Sequence, residues 1–147
     1  MTGAAGIDPR GPRFTASVTA VLLAAALVVP EGIATAVVGA LAVFFAIGAG
    51  LGVQRTPTGV LFRTLIRPRL TPPAELEDPT PPRFAQAVGL TFAVVAVVGY
   101  LTGTVLVAQV AVGLALVAAL LNAVFGFCLG CEMYLLGARF RSARATP

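Results

Sequence analysis

Residues 84–127 read FAQAVGLTFAVVAVVGYLTGTVLVAQVAVGLALVAALLNAVFGF, without a charged side chain and with one weak interruption at Thr102-Gly103-Thr104. A bilayer core of roughly 30 Å takes about 20 helical residues. The stretch therefore holds two membrane spans, near 84–101 and 104–127, joined by a tight turn. The runs are continuous in Ala, Val and Leu, whereas a barrel strand would alternate over about 10 residues. Working outward, residues 14–29 and 33–53 repeat the pattern around Pro30-Glu31-Gly32, the first of them only just long enough to span. Across all 147 residues the chain is 58% apolar and 11% charged, with a mean hydropathy of +0.95. That excludes a soluble domain and predicts an all-α membrane protein with four transmembrane helices.

Charge predicts orientation. The ten basic residues are all arginine. Arg10 and Arg13 precede the first span; Arg55, Arg63, Arg67, Arg69 and Arg83 separate the second from the third; Arg139, Arg141 and Arg144 follow the fourth. The opposite turns carry no cation. By the positive-inside rule both termini and the long middle loop face the cytoplasm of a plasma membrane. The net charge of +4 thus reflects topology. No basic patch interleaved with aromatics is present, which argues against a nucleic-acid partner.

Ala34-Thr35-Ala36 has the look of a signal-peptide cleavage site, but an internal repeat argues that the first span is retained. Asp8-Pro9-Arg10-Gly11-Pro12-Arg13-Phe14 recurs as Asp78-Pro79-Thr80-Pro81-Pro82-Arg83-Phe84, and Gly48-Ala49-Gly50-Leu51-Gly52-Val53 aligns with Gly126-Phe127-Cys128-Leu129-Gly130-Cys131. The expectation is a single membrane domain over 1–147, built as two tandem hairpins. Repeat one covers 8–70 and repeat two 78–140. Because each unit crosses twice, the copies share one orientation, with a pseudo-twofold axis along the membrane normal.

Between them, residues 58–67 predict a short amphipathic helix with Leu61, Phe62, Leu65 and Ile66 on one side. Arg63 and Arg67, with Arg69 beyond, suit contact with an anionic membrane surface. A Pro-rich acidic strap over 71–82 then reads as an extended tether, completing the cytoplasmic segment 58–83. Arg141, Arg144 and the last residues read as a disordered basic tail.

Chemistry has few places to reside. Histidine, lysine and tryptophan are absent, and the only cysteines form Cys128-Leu129-Gly130-Cys131. Two cysteines placed at random would fall three apart about once in 75 trials, so the spacing carries a signal. Two thiolates make half of a tetrahedral metal site, so no metal or other cofactor is expected from this chain alone. In a reducing cytosol the pair suits transient redox or sulfur transfer better than a permanent bridge. If the fourth span continues through the pair, the cysteines sit at a helix C-terminus beside Glu132, which disfavours thiolate. A helix break at Gly130 with Cys131 opening a short new helix, or the approach of Arg55 or Arg139, would reverse that influence. Cys131, nearer water, is expected to attack, with Cys128 resolving. The competing expectation is a non-enzymatic transporter half or membrane assembly subunit whose cysteines only pack.

Gly48-x-x-x-Gly52 and Gly126-x-x-x-Gly130 predict close helix contact between the second and fourth spans, or between copies in a homo-oligomer. Gln86, Gln109 and Asn122 predict hydrogen bonds across helices or the lining of a cavity. No charged residue lies at membrane depth, so an ion path has little support.

Ile7-Asp8-Pro9-Arg10, Arg13-Phe14-Thr15-Ala16, Pro81-Pro82-Arg83-Phe84-Ala85-Gln86 and the stretch Asn122 through Tyr134, with its Gly-Phe-Cys-x-x-Cys core, resemble the bacterial membrane proteins grouped as domain of unknown function 4395, typical of actinobacteria. The resemblance covers nearly the whole chain. It implies a small multi-span protein whose relatives are often encoded near thioredoxin-like or sulfurtransferase proteins, and it supplies no catalytic residues.

Overall fold

A computed structural model describes residues 6–145. Among them the chain forms α1 (Arg10–Val28), α2 (Glu31–Leu51), α3 (Pro57–Leu61), α4 (Thr80–Leu101), α5 (Val105–Phe125) and α6 (Leu129–Ala145). The helices α1, α2, α4 and α5 are long and apolar enough to cross a membrane. The architecture is all-helical and that of a multi-pass membrane protein.

Both Asp-Pro motifs are helix starters. Asp8 Oδ1 accepts the Arg10 N–H at 3.0 Å and Asp78 Oδ1 accepts the Thr80 N–H at 2.8 Å, each satisfying a first-turn donor that has no helical partner. The first span therefore begins at Arg10, earlier than composition suggests, and its 19 residues reach about 28 Å at 1.5 Å each. Val29-Pro30 separates α1 from α2, and Pro30 cannot prolong α1 because it lacks the N–H. Between α4 and α5 the chain reverses at Gly103, whose φ of 77° lies in the left-handed region. Connections this short make each successive pair antiparallel.

Small side chains set the packing. Ala96 and Ala108 are fully buried, and a Cβ on Gly99 would lie 3.0 Å from the Ala108 Cβ, so α4 and α5 run in close contact. Lipid tails are as apolar as leucine, and such close approach is what holds helices together in a bilayer. Large side chains such as Leu106 and Phe125 point outward instead.

The dominant partners cross between the halves of the chain: α2 packs on α4, and α1 on α5. The expected contact of the second span with the fourth is not among the main ones. Gly48 faces Gln86 of α4, where a Cβ would stand 2.5 Å from Gln86 Oε1, and Gly130 faces Ala85 of α4. The other glycine of each pair turns the chain: Gly52 (φ 100°) ends α2 and Gly126 (φ 69°) ends α5.

Two arginines read only as topology signals also join the halves. Arg83 donates to the Ala49 and Gly50 carbonyls at 2.8 and 2.6 Å, and Arg13 to the Ala123 and Val124 carbonyls, both at 3.4 Å. Each guanidinium thus reaches the unpaired carbonyls and negative end of a span's last turn.

The middle segment departs from expectation in its facing. From α3 the helix continues through a π-helical turn, Phe62–Ile66, and a 3-10 turn, Arg67–Arg69. Phe62 alone of the expected apolar side is buried, its ring 6.1 Å from that of Phe14 and close to Gly11, while Leu61 and Leu65 are exposed. The strap is fastened rather than free: Ile7 and Glu77 exchange two backbone hydrogen bonds at 2.9 Å, and Arg10 donates to the Thr71 carbonyl at 2.9 Å. Arg141 and Arg144 lie in α6, so the expected disordered tail is helical through Ala145.

Candidate functional site

The fourth span does not run through the cysteines. At its end the Gly126 N–H bonds the Asn122 carbonyl at 3.0 Å and the Phe127 N–H bonds the Leu121 carbonyl at 3.2 Å. The first of these is the bond of an αL helix end, which needs the left-handed backbone that Gly126 supplies. The chain then restarts as α6, and the expectation of a C-terminal placement is overturned. Cys128 stands immediately ahead of α6. Its carbonyl accepts the Glu132 N–H at 3.0 Å, the first bond of the new helix, and its Sγ accepts the Cys131 N–H at 3.3 Å. The break falls at Gly126, four residues before the Gly130 break considered from sequence.

The two cysteine Cα atoms are 5.2 Å apart and their sulfurs lie at disulfide-bonding distance. Both residues are half-buried, and Glu132 is exposed in the first turn of α6. The helix is held by its contact with α4. A Cβ at Gly130 would come within 2.6 Å of Ala85 Cα and Cβ, and the Phe84 and Tyr134 rings lie 5.8 Å apart. α3 opens by the same device as α6: Thr56 Oγ1 accepts the Gly59 N–H at 3.1 Å.

Cys128 also borders a cavity of about 350 Å³, lined largely by apolar side chains of α1, α2, α4 and α5. Gln86 and Asn122 are on its wall, while Gln109 is exposed on α5. Gln86 Oε1 is buried and has no hydrogen-bond partner among the described residues. The distribution of polar residues along the spans foreshadows this wall only in outline, because side-chain direction depends on the pairing of helices.

Arg63, Arg67 and Arg69 are exposed on the middle segment. Arg63 and Arg67 border a smaller cavity of about 70 Å³ that also touches Asp8. Arg67 Nε is 4.0 Å from Asp8 Oδ2, and Arg10 Nη2 is 2.7 Å from the same oxygen. The hydrogen bond from the Arg10 side chain is the chief reason that the Asp8 carboxyl is held below its ordinary pKa of 3.8, against the opposing effect of burial. No grouping of three or more His, Cys, Asp or Glu side chains suited to a metal occurs among the described residues.

A protein-family model described as Domain of unknown function (DUF4395) matches residues 7–139. No curated protein and no solved structure matches the chain.

Proposed function

For a chain that belongs to the DUF4395 family, whose description assigns no activity, we propose thiol-disulfide or sulfur exchange with a soluble thioredoxin-like or sulfurtransferase protein at Cys128 and Cys131. One observation carries the reading: Cys128 Sγ receives a main-chain N–H at the start of α6, within bonding reach of Cys131. A helix N-terminus carries partial positive charge and favours thiolate over thiol. The sulfur so placed is that of Cys128, so we assign attack to Cys128 and resolution to Cys131, the reverse of the order expected from exposure alone. In the exchange, Cys128 thiolate attacks one sulfur of a partner disulfide and the other sulfur leaves as thiolate. Cys131 then displaces the remaining partner sulfur, so the pair ends oxidised and the partner reduced.

The hairpin repeat belongs to the same proposal. Equivalent residues 70 positions apart meet or act alike: Ile7 bridges Glu77, Asp8 and Asp78 each start a helix, and Arg13 and Arg83 each bind the end of the other half's second span. Reciprocal contacts of this kind are what a twofold relation produces. On this reading Phe14 against Phe62 corresponds to Phe84 against Tyr134, and Thr56 with Gly59 corresponds to Cys128 with Cys131. The alignment of Cys128 with Gly50 is replaced by one with Thr56. A threonine serves the capping role in one half, so sulfur in the other is not required by the cap. This favours chemistry over packing as the reason for the pair.

The arginine distribution supports a plasma-membrane topology with the pair and both termini cytoplasmic. Two measurements test the proposal. In inverted vesicles, a membrane-impermeant maleimide should label the reduced pair rapidly. In cells, Cys131→Ser should accumulate a mixed disulfide through Cys128 while Cys128→Ser should not. Protection of both sulfurs from label, with no adduct in either variant, sinks the reading and leaves the packing alternative.

A further inference from the structure

We infer that α6 is a membrane-surface arm whose apolar stripe and arginines seat on anionic phospholipid headgroups; the inference is independent of what the cysteines do. Leu129, Met133, Leu136 and Phe140 are all exposed, from 38% at Leu129 to 69% at Phe140. At 3.6 residues per turn they fall within about 60° of one another around the helix, so they form one stripe. α6 packs on α4 through a different face, that of Gly130 and Tyr134. Arg139 flanks the stripe on one side and Arg141 and Arg144 on the other, all exposed, and Glu132 in the first turn is the only acid of the helix. Arginine stems lie readily along apolar surface while the guanidinium stays at headgroup level.

Position selects lipid as the occupant. The stripe begins at membrane depth, because Gly130 stands against Ala85, just inside Arg83, whose guanidinium marks the end of α2 by its bonds to the Ala49 and Gly50 carbonyls. It also continues an exposed apolar surface at the end of the last span, through Val124, Phe125 and Phe127. A soluble protein does not reach the start of such a surface, whereas lipid already covers it. Charge then selects the kind of lipid. A second copy laid stripe to stripe brings like arginines together, while an anionic headgroup layer gains about fivefold in binding from each of them. The other half of the chain repeats the design. In the register that pairs Phe62 with Tyr134, Arg67 and Arg69 correspond to Arg139 and Arg141, and the exposed Leu61 corresponds to Met133. Two arms of like sign thus stand on the side to which the arginine distribution assigns the anionic cytoplasmic leaflet.

The chain has no tryptophan, so Phe140→Trp gives the full-length protein a single reporter. In nanodiscs of phosphatidylcholine with phosphatidylglycerol its emission should be blue-shifted, and brominated acyl chains should quench it strongly. Leu135→Trp, exposed but outside the stripe, should be quenched much less. Replacing Arg139, Arg141 and Arg144 together by glutamine in the Phe140→Trp background should shift the balance between seated and lifted arm by about a hundredfold, read as recovery of the emission. Leu136→Trp supplies the same reading if Phe140→Trp does not fold. Water-like, unquenched emission from the stripe in anionic discs overturns the inference. A blue shift without bromine quenching also overturns it, since protein then covers the stripe. Quenching that is equal in pure phosphatidylcholine and indifferent to the arginine changes overturns the recognition of anionic lipid.

Discussion

At the scale of single residues, the cap at Cys128 separates structure from chemistry. Thr56 performs the same task for α3 with an oxygen. Cys128→Thr should therefore keep α6 folded while abolishing thiol exchange, whereas Cys128→Ala loses the cap as well and should cost about 1 kcal/mol. Thermal unfolding of the purified protein in detergent, read beside exchange with a soluble dithiol, checks both halves of this expectation. Equal destabilisation by Thr and Ala would show that the sulfur is not acting as a cap. Gly130 offers a sterner case, because any Cβ there meets Ala85 backbone at 2.6 Å. Gly130→Val should lift α6 from α4 and raise the accessibility of Cys131 to maleimide. The C-x-x-C pair was legible in the sequence from its spacing and from the scarcity of other reactive groups. Its position at a helix start was not. Gly126-x-x-x-Gly130 satisfies the pattern of a packed helix face, yet Gly126 closing an apolar run also satisfies the pattern of a helix terminator. Only the backbone distinguishes the two.

At the scale of elements, the ends of the helices hold more of the fold than their apolar middles reveal. Arg83 makes shorter bonds to the end of α2 than Arg13 makes to the end of α5. Arg83→Ala should accordingly destabilise more than Arg13→Ala, with each loss about 0.3–1 kcal/mol, and Arg83→Lys should recover part of it through charge alone. The ranking is read from unfolding midpoints in one detergent. The strap gives a pH-dependent counterpart. Asp8 is more acidic in the folded protein than its ordinary 3.8, so its contribution is fully present above that value and fades as the pH falls through it and toward the lower folded pKa. Hydrogen exchange at the Ile7 and Glu77 amides, corrected for its intrinsic pH dependence, should lose protection over that acid range, and Asp8→Asn should remove the pH dependence. The four spans were legible because length and hydropathy suffice to define them. The helical course of α6 was less so, since its polar composition resembles a tail until its contact with α4 is taken into account.

At the scale of the whole molecule, composition gives the number of spans but not which span lies against which. Apolar helices in lipid have no wet face to exclude, and small residues recur along all of them, so periodicity carries little information about partners. The information was present instead in the Asp-Pro-x-x-Pro-Arg-Phe repeat, whose arginines reach across to the opposite half. The consequence is a molecule whose hairpins are held mainly by one another: α1 with α5, and α2 with α4. A hairpin on its own retains the weaker contact between its two spans, and it leaves the last-turn carbonyls of its second span without their arginine. Cutting the strap between Pro72 and Pro73 should therefore leave two chains that copurify when expressed together, joined by the long helices, the arginine bonds and the bridge of Ile7 with Glu77. Either chain alone should aggregate or be degraded. In the reassembled pair Cys128 and Cys131 should retain the maleimide reactivity of the intact protein, because α6 and its seat on α4 lie within the same fragment. Two separately stable hairpins that fail to copurify would contradict the reciprocal packing.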